Sequence, residues 1–323
     1  MKKQILILGG TMFVGRAVVE KLRTLPDYEI TLFNRGKSNA GLFEDIKQLH
    51  GNRETDDILQ VCNQHWDCVI DFSGYYPVTF EKLLQDLYGK VGRYIFISTI
   101  SVYELEKFEG RPITENDEIH YCSQEQKISK LPDAYGEKKA EMERVLLRQT
   151  GLDKIILRPS FIYGRYDWTE RFYYWLYRAK FLDKVLIPAN FNLVLTYADD
   201  LATAIVNAIE VKEHKTIYNT ISESGIPVTQ VVNDAAALLN RKVEFVKAND
   251  ELTEKGQVHQ SAFPLYVPFD FSIEGSQWLK DFNVQPTGFE NSLKQTIAYH
   301  DSLNWSEPKA GMPVEKEREI VGK

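Results

Sequence analysis

The N-terminal stretch restricts the fold more than any other part of the chain. The apolar run Ile5–Leu8 stops at Gly9 and Gly10, and an apolar-periodic stretch then extends from Phe13 to Leu22. This order predicts a buried parallel strand, a tight turn and a helix. The free N–H groups at the start of such a helix, together with the positive end of its dipole, favour a phosphate. The turn is therefore a candidate nucleotide site.

The glycine spacing of this turn matches the dinucleotide pattern G-x-G-x-x-G only in part. Gly9 would permit the tight turn, and Gly15 would let the helix lie close to the strand. Met12 stands where the pattern has its third glycine. Alone, such a turn is as consistent with a plain strand–helix connection as with a nucleotide site. The predicted cofactor contacts of the turn are Gly9, Thr11, Met12, Phe13, Val14 and Gly15.

Length and composition restrict the class of protein. A chain of 323 residues suffices for one large domain or two smaller ones. The net charge of −7 argues against nucleic acid or an anionic membrane as a partner, because both require a basic patch. No apolar run is long enough to span a bilayer and no signal peptide is apparent, so a cytoplasmic protein is expected. The cysteines lack metal-ligand spacing, which predicts buried free thiols and no metal site: Cys62, Cys68 and Cys122.

Strands alternate with helical stretches through the first half of the chain. Further strands are predicted at Glu29–Phe33, Ile46–His50, Cys68–Phe72, Tyr94–Ser98 and Ile155–Leu157. Asp133 is expected to cap a long helix from Ala134 to about Gln149. The alternation implies right-handed crossovers and therefore an α/β fold with a Rossmann-type, doubly wound parallel sheet, which binds its ligand at the carboxyl ends of the strands.

Two domains and a tail are predicted. Residues 1–170 would form the Rossmann domain, with residues 195–215 packing back on it, and residues 171–305 would form a smaller C-terminal substrate-binding domain. The aromatic run Phe172–Tyr177 is expected to be a buried helix rather than a substrate wall. Residues 306–323 contain proline, glycine and many charges, which predicts a flexible tail.

The residues after the second predicted strand bear on the choice of nucleotide. An NAD-binding fold usually has an acidic residue here that hydrogen-bonds the ribose 2′-OH. This chain instead has Asn34, followed by Arg35 and Lys37. Two cations without a carboxylate suit a 2′-phosphate, so NADP is favoured over NAD. The alternative is that Arg35 and Lys37 are ordinary surface cations in a turn.

Tyr135 and Lys139 lie four residues apart, on one face of the long predicted helix. An ammonium one turn from a phenol lowers the tyrosine pKa from about 10, which makes Tyr135 a candidate acid or base. Ser98, Thr99 and Ser101 lie at the carboxyl end of the fifth strand, where one hydroxyl would orient a substrate oxygen. A solvated helix face and ordinary strand-end capping are the competing explanations.

Five motifs occur in the order typical of the extended short-chain dehydrogenase/reductase superfamily: Gly9–Gly15, Phe96–Tyr103, Tyr135-x-x-x-Lys139, Leu157–Gly164 and Tyr197–Ala202. Over about residues 4–300 the chain resembles the NAD-dependent epimerase/dehydratase branch and its atypical relatives. The resemblance implies that Thr99 is the catalytic hydroxyl and Tyr135 the proton-transferring phenol. It also implies that Lys139 lowers the pKa of Tyr135 and binds the nicotinamide ribose.

Further contacts are implied by the resemblance. The cofactor would meet Ser73 and Gly74 after the fourth strand, Ser98, Pro159 and Ser160 near the nicotinamide, and Asn52 and Arg53 near the adenine. Substrate contacts would come from Tyr75, Ser101 and Arg165, although a salt-bridged loop explains Arg165 equally well.

The resulting hypothesis is an NAD(P)-dependent oxidoreductase or epimerase that acts on a hydroxyl or keto group of a nucleotide-sugar-like small molecule. Tyr135 would take the hydroxyl proton while hydride passes to the nicotinamide. The sequence does not separate the epimerase, dehydratase and reductase outcomes. The alternative is a non-catalytic NAD(P)-binding regulatory or RNA-associated protein of the atypical group, but all three catalytic positions carry competent side chains. A homodimer paired through the helix from Ala134 is compatible with the resemblance.

Overall fold

The computed structural model describes residues 1–108, 110–248 and 262–322. Its strands are β1 (Lys3–Leu8), β2 (Tyr28–Asn34), β3 (Lys47–His50), β4 (Trp66–Asp71), β5 (Val91–Ile97), β6 (Asp153–Pro159), β7 (Phe161–Tyr163), β8 (Lys184–Ile187), β9 (Asn192–Tyr197), β10 (Ile217–Thr220), β11 (Glu223–Pro227) and β12 (Glu244–Lys247). Its α-helices are α1 (Phe13–Leu22), α2 (Pro77–Asp86), α3 (Gln124–Ile128), α4 (Tyr135–Leu147), α5 (Arg171–Phe181), α6 (Ala198–Ala208), α7 (Val228–Leu238), α8 (Gln277–Asp281), α9 (Phe289–Ser302) and α10 (Val314–Val321). Short 3₁₀ helices occupy Asp56–Asn63, Ile100–Val102 and Leu105–Phe108.

The main sheet is parallel throughout, with strands in the order β3-β2-β1-β4-β5-β6-β10. This order confirms the predicted doubly wound sheet. The strand order reverses between β1 and β4, where Leu8 lies opposite Asp71. The turn after β1 and the residues after β4 therefore border the crevice in which such sheets bind ligands.

Side-chain alternation along β1 explains why its sequence is apolar without interruption. Ile5 and Ile7 pack with residues of α1 and α6 on one face of the sheet. Leu6 and Leu8 pack with residues of α2 and α4 on the other face. A parallel strand covered by helices on both faces needs apolar residues at every position.

A second hydrophobic cluster lies beyond the main sheet. It is built from α5, α7, the sheets β7-β9-β11 and β8-β12, and the C-terminal helices. The prediction that the aromatic run is a buried helix is confirmed, since Phe172, Tyr174 and Trp175 of α5 are buried. The predicted substrate domain includes residues 249–261, which lie outside the described residues.

The C-terminal segment differs from the expected flexible tail. Residues 314–321 form α10, in which Val314 and Glu317 are buried. The Glu317 carboxylate accepts a hydrogen bond from Arg178 Nε at 2.9 Å and another from the Leu186 N–H at 2.8 Å. The charges that suggested disorder thus include one half of a buried ion pair. Residue 323 of the predicted tail lies outside the described residues.

The start of α4 also differs from the prediction that Asp133 caps it. Ala134 precedes the helix in the left-handed conformation, with φ of 47°. The Asp133 carboxylate instead accepts a hydrogen bond from Lys138 Nζ at 2.9 Å. The helix begins at Tyr135, and its second residue, Gly136, lets the first turn lie against the backbone of Ser101.

Cys62, Cys68 and Cys122 are buried and free, as predicted. None of the helices described here has the length and apolar character that crossing a membrane requires.

Candidate active site

The turn after β1 requires glycine at more positions than its motif suggests. Gly9 and Gly10 have φ of 106° and 91°, a region that L side chains rarely adopt. A Cβ at Gly10 would also lie 3.1 Å from the Ile7 side chain. At Gly15, a Cβ would lie 3.0 Å from the Gly10 Cα, so this glycine lets α1 approach the turn closely.

Met12 is compatible with an anion site at the start of α1. Its backbone is extended, with φ of −135° and ψ of 149°, so a side chain is accommodated where the pattern has glycine. The first helical hydrogen bond runs from Arg16 N–H to the Met12 carbonyl at 3.1 Å. The N–H groups of Phe13, Val14 and Gly15 precede this bond and have no acceptor within the helix. The turn therefore fits a diphosphate.

The end of β2 presents cations beside the glycine turn. Asn34 accepts a hydrogen bond from the Gly36 N–H at 2.7 Å and donates to Gln48 Oε1 at 2.9 Å, so its side chain shapes the turn instead of facing a ribose. Arg35 and Lys37 are exposed and form no ion pair within the described part of the chain. A cavity of about 400 Å³ adjoins this turn, lined by residues that include Thr11, Asn34, Gly36, Glu44 and His50.

The two residues predicted near the adenine are held by protein groups. The Asn52 side chain accepts a hydrogen bond from the Glu54 N–H at 3.1 Å. Arg53 turns inward and donates to Asp71 Oδ1 at 2.6 Å and to Ser73 Oγ at 2.9 Å. The structure therefore brings Arg53 and Ser73 together, but their side chains bind each other instead of both being free for the cofactor. The next residue, Gly74, packs closely against Phe96, since a Cβ at Gly74 would lie 2.9 Å from the Phe96 ring.

Tyr135 and Thr99 meet where α4 approaches the end of β5. Thr99 caps the 3₁₀ helix Ile100–Val102, accepting a hydrogen bond from the Ser101 N–H at 3.1 Å. Its hydroxyl also donates to Ser101 Oγ at 3.1 Å. The Tyr75 ring lies 6.5 Å from the Tyr135 ring, centroid to centroid. Four predicted site residues, Tyr75, Thr99, Ser101 and Tyr135, thus lie together where the first turn of α4 packs against the Ser101 backbone.

The pKa of Tyr135 is shifted in the direction opposite to that predicted. Although the residue is 44% exposed, partial burial of the phenol raises its pKa. Tyr75 raises this pKa further, whereas Thr99 and Arg171 lower it. The Lys139 ammonium does not supply the predicted lowering, because it is buried and donates to the Ile97 carbonyl at 2.7 Å. Burial lowers the pKa of Lys139 itself to about 8.

Three of the predicted contacts have side chains committed elsewhere. Ser98 Oγ donates to Glu143 Oε1 at 2.5 Å, and Ser160 Oγ donates to the Val194 carbonyl at 2.6 Å. Both hydroxyls therefore connect parts of the scaffold, while Pro159 ends β6 beside them. Arg165 donates to both oxygens of Asp199 and lies 3.3 Å from Glu20. For Arg165 this geometry corresponds to the salt-bridged alternative, not to a substrate contact.

The family assignment follows from a sequence comparison. The sequence model described as the NAD dependent epimerase/dehydratase family matches residues 5–220, which include the glycine turn, Thr99, Tyr135 and Lys139. The chain belongs to this family. It is accordingly an enzyme of the epimerase/dehydratase class. The comparison with curated proteins gave no match.

Solved structures with the same fold include sugar-nucleotide epimerases and a dehydratase from bacteria. UDP-glucose 4-epimerase from Thermotoga maritima, solved with UDP-glucose, has a TM-score of 0.72 and 19% identity, covering 94% of this chain and 100% of that one. The dTDP-glucose 4,6-dehydratase from Bacillus anthracis, in complex with NAD, has a TM-score of 0.71 and 18% identity, covering 95% and 99%. UDP-glucuronic acid 4-epimerase from Bacillus cereus, in complex with NAD, has a TM-score of 0.70 and 16% identity, covering 94% and 100%.

Sequence reasoning missed the buried charges that surround this epimerase/dehydratase family site. Asp71 is fully buried at the end of β4, and Glu143 is fully buried on α4, one turn after Lys139. Glu143 pairs with Arg158, whose Nη2 lies 2.5 Å from Glu143 Oε2. Two signals were present: a carboxylate at the end of an otherwise apolar strand, and the four-residue spacing of Tyr135, Lys139 and Glu143.

Proposed function

We propose that this protein is an NADP-preferring family enzyme that oxidises, reduces or epimerises a hydroxyl or keto group of a nucleotide sugar. The observation that carries this proposal is the packing of the first turn of α4, which carries Tyr135, against Ser101, which is hydrogen-bonded to Thr99. Lys139 lies on the same helix, and β5 leads into this region at the carboxyl edge of the sheet that also bears the glycine turn.

Residues at the carboxyl ends of the parallel strands would hold the cofactor. The N–H groups that start α1 would bind the diphosphate, and the turn residues Gly9 and Gly10 would let the backbone approach it. Arg35 and Lys37 would bind a 2′-phosphate, and Lys139 would bind the nicotinamide ribose. When bound, the nicotinamide supplies hydride transfer.

Tyr135 would move the proton that accompanies this chemistry. Its phenolate would accept the proton of a substrate hydroxyl, or its phenol would return one to a keto oxygen. The Thr99 hydroxyl would orient the same substrate oxygen. Because burial raises the pKa of Tyr135 in this structure, a positive charge brought close to the phenol is required for efficient catalysis near neutral pH.

The preference for NADP rests on Arg35 and Lys37. Both side chains are exposed at the end of β2, and no carboxylate occupies the position that would accept a ribose 2′-OH. A guanidinium binds a phosphate through charge-assisted hydrogen bonds, so a 2′-phosphate gains more here than a hydroxyl.

The proposal that the substrate is a nucleotide sugar is supported by fold similarity to enzymes solved with such ligands, among them UDP-glucose. The exposed rings of Tyr75 and Tyr135 lie 6.5 Å apart, centroid to centroid, and suit stacking against a sugar.

The experiment combines cofactor identification with product analysis. Small molecules released on denaturing the purified protein are identified by mass spectrometry, and NADPH and NADH are then titrated into the protein freed of them. UDP- and dTDP-sugars are incubated with the protein and each cofactor, and products are followed by proton NMR. We expect tighter binding of NADPH and conversion of at least one sugar nucleotide. Binding without turnover of any of them would contradict the proposed substrate class, and equal binding of both cofactors would contradict the NADP preference.

A further inference from the structure

The loop between β7 and α5 holds a carboxylate with one free oxygen. Asp167 is only 8% exposed. Its Oδ1 accepts hydrogen bonds from the Thr169 N–H at 2.9 Å and from the Thr169 hydroxyl at 2.6 Å. Its Oδ2 is buried and has no hydrogen-bond partner among the residues that the structure describes. Because a buried acceptor without a partner costs free energy, this oxygen is suited to a donor that arrives with a ligand.

Contacts on either side of Asp167 fix the conformation of this loop. On one side, the Tyr166 hydroxyl donates to Glu20 Oε2 of α1 at 3.0 Å. On the other side, Glu170 Oε2 accepts a hydrogen bond from the Lys309 N–H at 2.6 Å. Tyr166 and Glu170 both have left-handed backbone, with φ of 67° and 57°. Such conformations persist outside glycine only where the surroundings enforce them, so packing sets the position of the Asp167 carboxylate.

Arg171 brings a second binding group to this loop. It is the first residue of α5, is exposed, and donates from Nε to Thr169 Oγ1 at 3.4 Å. Thr169 therefore links the guanidinium to the Asp167 carboxylate through hydrogen bonds. The two Nη groups of Arg171 have no hydrogen-bond acceptor in the described part of the chain. We call Asp167, Thr169 and Arg171 the loop cluster. It presents a buried acceptor and an exposed set of donors.

The loop cluster borders the region that contains the predicted catalytic hydroxyls. The Arg171 guanidinium carbon lies 5.9 Å from the centre of the Phe161 ring. Phe161 packs in the same hydrophobic cluster as residues of the 3₁₀ helix Ile100–Val102, which Thr99 caps. The charge of Arg171 is also close enough to Tyr135 to lower the pKa of its phenol. A molecule held beside Tyr135 can therefore extend to the loop cluster.

We propose that the loop cluster binds a vicinal diol of the substrate sugar. Asp167 Oδ2 accepts a hydrogen bond from one hydroxyl, and Arg171 donates to the oxygen of the neighbouring hydroxyl. An ionised carboxylate only accepts hydrogen bonds and a guanidinium only donates them, so the pair matches the donor and the acceptor that two adjacent hydroxyls present. This inference rests on the proposed function for the nucleotide part of the substrate and deepens it by assigning residues to the sugar part.

The test compares sugar nucleotides with the nucleotides alone. Calorimetric titrations of the full-length protein use UDP-glucose, UDP-galactose, dTDP-glucose, UDP and dTDP. We expect at least one sugar nucleotide to bind more tightly than its nucleoside diphosphate. Asp167→Asn should weaken that sugar nucleotide about tenfold to a hundredfold and change UDP and dTDP by less than about twofold, and Arg171→Gln should weaken it about tenfold. An unchanged affinity for the sugar nucleotide in Asp167→Asn would overturn the proposal.

Matched variants separate sugar binding from a structural role. Asp86 Oδ2 is likewise buried and unpartnered among the described residues, but it lies where α2 leads into β5, at the opposite edge of the sheet. Asp86→Asn should leave every affinity unchanged. Asp167→Asn keeps the Oδ1 acceptor for Thr169 and removes a buried charge, so it should be at least as stable as the wild type in urea. Lower stability with an unchanged preference for the sugar nucleotide would show a structural carboxylate and overturn the proposal.

A free sugar tests the loop cluster without a nucleotide. Methyl α-glucoside is observed by saturation-transfer difference NMR with the wild type and with Asp167→Asn. Saturation that is lost in the variant, without binding of any sugar nucleotide, would uphold the diol site and count against the proposed function alone. Binding of a sugar nucleotide that neither variant changes would count against the diol site and leave the proposed function standing. Absence of all sugar binding by the wild type would overturn the inference.

Discussion

A Cβ atom at Gly136 would overlap the carbonyl oxygen of Ser101. This glycine is the second residue of α4, immediately after Tyr135, and Ser101 lies two residues after Thr99. The missing side chain therefore lets the helix that carries the phenol pack against the backbone that carries the hydroxyl. The Tyr135–Thr99 arrangement depends on this contact as much as on the two side chains themselves.

Gly136→Ala is expected to displace α4 from the 3₁₀ helix Ile100–Val102. Because the overlap is with backbone, no rotamer change relieves it, and kcat should fall by at least tenfold with a loss of about 2 kcal/mol or more in unfolding free energy. Steady-state kinetics and urea unfolding measure both effects. Gly151→Ala is the matched control, since a Cβ there meets no atom within 4 Å and carries only the strain of its φ of 73°. Wild-type activity in Gly136→Ala would contradict the packing argument.

Arg35→Ala tests the cofactor preference. Losing a charge-assisted contact to a 2′-phosphate should weaken NADPH binding about tenfold to a hundredfold and change NADH binding little. Fluorescence titration with both cofactors measures the difference. Lys212→Ala removes another exposed cation and should affect neither. An equal loss for both cofactors in Arg35→Ala would remove the 2′-phosphate argument.

Glu317→Gln tests whether the Arg178–Glu317 ion pair holds the C-terminal helix α10 against the second hydrophobic cluster. It leaves the fully buried Arg178 guanidinium without its ionic partner, which should lower the unfolding free energy by about 3–5 kcal/mol. Urea unfolding measures the loss. The double variant Arg178→Met/Glu317→Leu should recover much of it, because no unpaired charge then remains. A single variant as stable as the wild type would mean that α10 contributes little to the fold.

His300 is expected to make the unfolding free energy of the protein depend on pH. Burial lowers the pKa of His300 to about 4, and its ring stacks on Tyr173 at 3.9 Å between centroids. Between that pH and the unfolded pKa of about 6.5 only the unfolded chain binds the proton, so stability falls as pH falls through this window. His300→Phe keeps a stacking ring and should lose about 2 kcal/mol less than the wild type between pH 7 and about pH 4.5. Parallel losses in urea unfolding at the two pH values would contradict this role.

The fold was predictable because its strongest signals are local. A short apolar run such as Ile5–Leu8, ended by two glycines, favours a strand covered on both faces, and alternating helices then favour parallel pairing. The tail was mispredicted because composition reports charge and not pairing. Nothing near Glu317 in the sequence indicates that it meets Arg178, which lies 139 residues away.

The candidate site was predictable in its residue types but not in their electrostatics. The spacing of Tyr135 and Lys139 gave their shared helix face, yet the pKa of each depends on burial and on groups from other strands. Asp71 and Arg53 are 18 residues apart and meet only because the loop after β3 folds over the end of β4. Long-range pairs of this kind are fixed by packing and leave no periodic pattern in the sequence.

Tyr135→Phe tests the central claim most directly. Removing the phenol oxygen deletes the proton-transferring group and leaves the ring in place, so kcat should fall by about 10²–10⁴ while NADPH affinity stays within about twofold. Tyr88→Phe, an exposed tyrosine that follows α2, is the matched control and should keep full activity. Turnover of a sugar nucleotide by Tyr135→Phe at the wild-type rate would contradict the account, because another group would then have to move the proton.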